Sequence, residues 1–201
     1  MGRNSRFTPD SFVDAAVALV AEGGVGAATL AAIARKAGGP TGSVYHRFPS
    51  RAAILATAWI AIHRDFSARM RRGLDESSGL LAALAIPEWA RQEPRRARFL
   101  LLNPPGALIG AAPQGALEGE IEAEEKKLEE AFMAYVQAAV GIGQMPDAES
   151  IARARFLVFD APIALTTPYL VSDEKVPGFV DAVIREMHGG VAVVRSRPNA
   201  R

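Results

Sequence analysis

Apolar residues recur at helical spacing along almost the whole chain, and clusters of proline and glycine interrupt them repeatedly. Spacing of i, i+3, i+4 gives a helix one buried face, and it cannot alternate across a strand. Composition agrees: alanine is abundant, while aromatic and β-branched runs are sparse. The expected fold class is therefore all-α. The 201 residues give room for one or two domains with a well-buried core. No cysteine is present, which excludes disulfides, thiolate metal sites and cysteine nucleophiles. No stretch approaches the ~18 uninterrupted apolar residues of a membrane span. The basic start, Met1 to Phe7, is followed by no apolar h-region, and Asp10 and Asp14 interrupt what comes next. No signal peptide is read, and a soluble cytoplasmic protein is expected.

Charge is unevenly distributed. Residues 1–72 hold ten Lys/Arg against four Asp/Glu, and residues 73–201 hold thirteen against eighteen. A basic head on an acidic body suits a phosphate-binding module joined to something else.

The first helix is expected from Thr8-Pro9-Asp10, with Thr8 as N-cap, Pro9 at the first helical position and Asp10 at the positive end. Glycines from Gly23 end it. Thr29 caps a short second helix whose buried stripe is Leu30, Ile33, Ala34 and Ala37, leaving Arg35 and Lys36 outside; Gly38-Gly39 breaks it. Pro40 opens a third short helix, Thr41 to Phe48, anchored by Val44 and Phe48. Ser50 caps a fourth that runs to Arg72 and stops at Gly73. Helical periodicity continues near 76–91, 94–102, 115–140, 147–170 and 174–188. The breaks fall at Pro94, Pro104-Pro105-Gly106, Pro113, Gly141–Gly143 with Pro146, and Ser172-Asp173. The charged run Glu118–Glu130 reads as a solvated helix face.

Helix two, the glycine turn and helix three form a helix-turn-helix, in which the first helix braces and the second lies in the major groove. The groove helix must be small or polar on its exposed side and apolar inward. Thr41-Gly42-Ser43-Val44-Tyr45-His46-Arg47-Phe48 meets those demands. Mid-helix glycine costs roughly 1 kcal/mol against alanine, so Gly42 is best understood if another surface approaches closely. Thr41, Gly42, Ser43 and His46 are the candidates for base readout. Tyr45, Arg47 and Arg51 suit phosphate oxygens, and the amides behind Thr29 could hold a further phosphate.

Residues from about Phe12 to Leu55 resemble the TetR family of bacterial repressors. The resemblance rests on Thr29-Leu30-Ala31-Ala32-Ile33-Ala34-Arg35-Lys36-Ala37-Gly38, then Gly42-Ser43-Val44-Tyr45-His46-Arg47-Phe48 and Ser50-Arg51. Two positions depart from the family pattern. Pro40 stands where a serine usually starts the recognition helix, and Arg47 where a histidine usually precedes the phenylalanine. The resemblance implies a DNA-binding head at residues 1–50 and a helical ligand-binding and dimerisation domain at 51–195. Helix 51–72 connects them, and a frayed tail occupies 196–201. It also implies a homodimer on a palindromic double-stranded operator, and release by a small-molecule effector. Phe159, Ile163, Phe179, Val183 and Met187, with Ala152, Phe156 and Val176, are the apolar positions for a dimer seam, although a monomer could bury them too. Trp89, Phe99, Leu102, Met133, Tyr135 and Phe156 are candidates for the ligand pocket; ordinary core packing is the simpler account of each. Breaks at Pro104–Gly106 and Pro162 could make room for a pocket.

Enzyme chemistry finds little support. The sequence has no P-loop, dinucleotide-binding glycine pattern, G-x-S-x-G elbow or H-E-x-x-H. His46, His63 and His188 are too scattered for a metal site, and no cofactor is implied. A helical adaptor whose head binds protein rather than DNA stays open as the alternative.

Overall fold

The computed structural model describes residues 8–110, 116–140 and 145–190. Every regular element among them is helical, as the periodicity predicted. In chain order these are α1 (Pro9–Gly23), a 3-10 turn (Val25–Ala27), α2 (Leu30–Lys36), α3 (Thr41–Tyr45), α4 (Arg51–Asp75), α5 (Gly79–Gln92), α6 (Pro94–Leu101) and α7 (Pro105–Ile109). Then follow α8 (Ala116–Val140), α9 (Ala148–Arg155), a π stretch (Phe156–Asp160), α10 (Ala161–Ser172) and α11 (Phe179–Gly190). The expected breaks at Pro113 and Gly141–Gly143 and the tail at 196–201 lie outside the described residues. No described helix is long and apolar enough to cross a membrane.

The chain divides into two compact units, Met1–Arg64 with Arg95–Glu124, and Asp65–Pro94 with Glu125–Arg201. In the first, α1 packs on α2, and α2 on α3. Phe12, Ala16, Val20, Ile33, Ala34, Val44 and Ile54 are buried there. The sequence-predicted caps all form. Thr8 Oγ1 accepts from the Ser11 amide at 3.3 Å, Thr29 Oγ1 from Ala32 at 3.2 Å, and Ser50 Oγ from Ala53 at 3.1 Å. Each satisfies an amide that its helix start would otherwise leave unpaired.

In the second unit, α5 packs against α10, α11 and the π stretch. Gly73 does not end α4, which runs on to Asp75. A Cβ at Gly73 would fall 2.8 Å from the Ala82 Cα, so glycine is there to let the backbone of α5 come close. Gly79 is similarly constrained, because a Cβ would meet the Tyr135 ring at 2.9 Å. Arg91 of α5 holds Asp181 of α11 through two bonds of 2.6 and 3.1 Å. It also donates to the carbonyls of Val176 (2.9 Å) and Pro177 (3.2 Å).

Pro162 was expected to break or kink its helix. Instead α9 continues through the π stretch into α10, with the Ala161 amide bonded to the Phe156 carbonyl. Proline lacks an N–H and its ring crowds the carbonyl of the preceding turn; the wider π register absorbs the clash. Pro104–Gly106, read as a break, is one that opens onto another helix: Pro105 is the first residue of α7. Within the charged run, Glu124 departs from the expected solvated face, being only 3 % exposed and paired with Arg64.

Candidate nucleic-acid interface

The unit α2–turn–α3 is assembled by local backbone chemistry. Gly38 adopts φ +74°, a left-handed conformation that favours glycine. Its amide bonds to the Arg35 carbonyl (3.1 Å) and the Gly39 amide to that of Ala34 (2.9 Å). That pair of bonds is a Schellman stop, and it turns the chain sharply after α2. Pro40, in extended conformation, precedes α3, and the Ser43 amide bonds back to its carbonyl at 2.9 Å.

Helix α3 is shorter than the Thr41–Phe48 span read from the sequence. It ends at Tyr45, and the amides of Arg47 and Phe48 both converge on the Val44 carbonyl (3.0 and 2.9 Å). Pro49 explains the early end, since the residue before a proline is driven out of helical geometry. The two expected anchors, Val44 and Phe48, are buried.

Outward, the structure brings Thr41, Gly42, Tyr45, His46 and Arg47 together as exposed residues, with Ser43 half-buried beside them. Tyr45 is 60 % exposed, unusual for a large ring unless something else covers it. A Cβ at Gly42 would meet nothing within 4 Å. Arg47 donates to the Ser43 carbonyl at 3.2 Å, and its guanidinium lies 5.9 Å from the Phe12 ring centre. Thr29 is exposed at the start of α2. Lys36 grips both oxygens of Glu22 (2.7 and 3.0 Å), tying the end of α2 to the end of α1. That hydrogen bond, with the positive charges of Lys36, Arg95 and Arg98, holds the Glu22 carboxyl below its ordinary range.

Arg51 has a different setting from the phosphate-facing one its sequence position suggested. Its Nε donates to the Ala28 carbonyl at 2.7 Å and its Nη2 to the Val25 carbonyl. It thereby braces the segment leading into α2 from the first turn of α4. Nothing in local sequence pattern reveals this, because the partners lie 23 and 26 residues away.

The candidate pocket residues are divided. Phe99 is fully buried and Leu102 half-buried in the first unit. Trp89 and Tyr135 are buried, Met133 half-buried and Phe156 exposed in the second. Trp89 donates its Nε1–H to Asp65 at 3.1 Å and packs at 5.0 Å from Phe66. The seam positions Phe159, Ile163, Val183 and Met187 are half-buried, and Phe179 is 57 % exposed. Val176 is buried, inside the unit rather than on its surface.

Two-turn brace, glycine stop and small polar presenting helix define a helix-turn-helix protein. Residues 12–58 match the family model of the bacterial regulatory proteins, tetR family. Residues 12–58 thus resemble the helix-turn-helix head of that family. No curated protein sequence matches the chain. Several solved structures share its fold. The regulator FadR from Bacillus subtilis, solved with stearoyl-CoA, is 19 % identical with a TM-score of 0.66, over 92 % of this chain and 100 % of that one. A transcriptional regulator from Rhodococcus sp. Rha1 is 21 % identical with a TM-score of 0.65, over 94 % and 100 %. SmeT, the repressor of the Stenotrophomonas maltophilia multidrug efflux pump SmeDEF, is 17 % identical with a TM-score of 0.62, over 96 % of each. The chain thus shares the fold of these solved structures.

Proposed function

We propose that this protein is a sequence-specific DNA-binding repressor that acts as a homodimer on a palindromic operator and leaves it when a small-molecule effector binds. The observation that carries the reading is the open face of α3. Glycine in a helix costs about 1 kcal/mol against alanine, yet a side chain at Gly42 would touch nothing in the chain. Among the described residues nothing meets that position, so the close approach it permits suits an outside surface. Base edges in a major groove are such a surface.

In this reading Thr41, Ser43 and His46 read bases, with Gly42 allowing approach. Tyr45, Arg47 and Thr29 hold phosphate oxygens, and Arg51 keeps the head in shape. Residues 1–50 act as the head and 51–195 as the effector-binding and dimerising body. The seam is supported by exposed apolar side chains on α10 and α11. Val171 and Phe179 are 65 % and 57 % exposed, and Tyr169 stacks edge-on at 6.3 Å from Phe179. A two-fold seam would place two copies of α3 about one duplex turn apart. Release then requires only that the effector bind better to a dimer whose heads are wrongly spaced. FadR with its stearoyl-CoA and the repressor SmeT support such a reading through shared fold.

The test separates readout from positioning. Ser43→Ala and His46→Ala should change which bases are preferred in a site selection from random DNA. Tyr45→Phe and Arg47→Ala should weaken binding to all sequences about equally. Four variants that lose affinity with unchanged preference would contradict the assignment.

A further inference from the structure

On the outside of the second unit, the end of α4 and the first half of α5 enclose a groove of about 200 Å³. A water takes about 30 Å³ of liquid, so the groove holds a handful of waters or one small molecule. Arg72, Gly73 and Glu76 line one side, and Leu81, Ala85 and Glu88 the other. Part of its charge is already committed. Arg69 donates to the side-chain oxygen of Gln92 at 2.7 Å and reaches Asp65 at 3.4 Å, and the Gln92 amide donates to Glu88 at 3.1 Å. What remains is one cation and one anion. Arg72 and Glu76 are exposed, and neither side chain is paired among the described residues. The Glu76 amide bonds to the Arg72 carbonyl at 3.2 Å, so the two side chains leave the helix one turn apart, with Cβ atoms about 5–6 Å from each other. Arginine before glutamate is the weaker order for an i, i+4 pair. On the facing helix Leu81 is 49 % exposed.

We propose that this groove binds an apolar α-amino acid as its zwitterion, with the carboxylate on Arg72, the ammonium on Glu76 and the side chain over Leu81 and Ala85. The choice follows from the charges left unpaired. A lone anion would answer Arg72 and leave Glu76 facing it, and a lone cation would do the reverse. An α-amino acid carries both charges on neighbouring atoms, and so bridges two side chains one turn apart. A guanidinium suits the carboxylate, since its planar fork can donate two parallel bonds. The carboxylate of Glu76 accepts from the three N–H bonds of an ammonium. The apolar side chain follows from Leu81, whose exposed surface leaves water when covered. The site is separate from the effector reading above. None of Trp89, Phe99, Leu102, Met133, Tyr135 and Phe156 lines it.

The test titrates L-leucine into the full-length, nitrogen-15-labelled protein without DNA, and follows the amide resonances of Gly73 and Leu81. Two controls each lack one charge: 3-methylbutylamine has no carboxylate, and 4-methylpentanoate has no ammonium. Saturable shifts are expected, with leucine at least about fivefold tighter than either control. Arg72→Gln should weaken leucine to the level of the amine and leave the amine unchanged. Glu76→Gln should weaken it to the level of the acid and leave the acid unchanged. Both positions are exposed, and circular dichroism checks that both variants fold. Absence of saturable shifts at the two amides overturns the proposal, as does a control that binds as tightly as leucine. Leucine binding that survives either substitution overturns the zwitterion. Because no DNA is present, each of these outcomes leaves the operator-binding reading where it stands.

Discussion

The Nε of Arg51 donates to the carbonyl of Ala28 at 2.7 Å, joining the first turn of α4 to the segment that starts α2. With the second bond to Val25, one guanidinium holds the Ala28 carbonyl together with the Val25 carbonyl, which also accepts the Ala28 amide at 3.3 Å. Hydrogen bonds to a charged group contribute roughly 1.5–3 kcal/mol when buried, and partial exposure of Arg51 reduces this to about 1–2 kcal/mol. Arg51→Ala should therefore lower the melting temperature as well as DNA affinity. Arg51→Lys should restore little, because an ammonium cannot span both carbonyls as a planar fork does. Loss of affinity with unchanged melting would mean that Arg51 contacts DNA instead.

Gly42→Ala offers the reverse signature. The substitution fills open space on α3 and adds helix propensity, so stability should rise by up to about 1 kcal/mol. DNA affinity should fall at least about tenfold, as the added methyl keeps the helix backbone off the base edges. Thermal melting and fluorescence anisotropy read the two effects separately. Unchanged affinity would contradict the assigned face.

Two histidines give stability a defined pH dependence. Burial pushes both His63 and His188 below their ordinary value of 6.5. As pH falls below about 6.5, the unfolded chain takes up protons that the folded chain refuses, so stability falls with pH. Each depressed histidine contributes at most about 1.4 kcal/mol per pH unit in that window. Glu22 behaves differently, because its folded value is lowered from 4.5. Its contribution is present above that pH and is lost only in stronger acid. Denaturant titrations between pH 7 and pH 5 should show the decline, and His63→Leu should flatten part of it. A stability that rises over that interval would contradict the burial assigned to both rings.

His188 also shows why some of this fold was not legible in the sequence. Its Nε2 donates to the Leu157 carbonyl at 3.1 Å. In the π register the N–H facing that carbonyl would belong to residue 162, a proline, so a side chain from α11 supplies the missing bond. Pro162 alone signals trouble for a helix, but the remedy depends on a residue brought near only by folding. Gly73 is similar, since a glycine that stops a helix and one that lets helices cross look identical in sequence. What was legible is what is local. The caps at Thr8, Thr29 and Ser50, the inward pair Val44 and Phe48, and the exposed row on α3 follow from neighbours a few residues away. Arg51, Glu124 and Arg91 depend on partners far along the chain, and no periodicity points to them.

The seam assigned to α10 and α11 predicts a dimer in sedimentation. Phe179→Glu should give a folded monomer with much weaker binding to a two-half-site DNA, because a charge would enter an apolar contact. The neighbouring Val180 is fully buried in its own unit, so Val180→Ala should instead lower stability, by about 1–2 kcal/mol, and leave the oligomeric state alone. A monomeric wild type, or a dimer untouched by Phe179→Glu, would remove the seam from these helices.

The central claim is that α3 reads an operator while its neighbours hold phosphates. Its most direct test is a selection of bound fragments from genomic DNA by the purified protein, read by sequencing and repeated at higher salt. The account predicts recovery of one palindromic site. Affinity for it should fall steeply with salt, with a slope of about −0.9 per phosphate neutralised. Recovery of no site above background, or of a site whose affinity stays flat as salt rises, would contradict it.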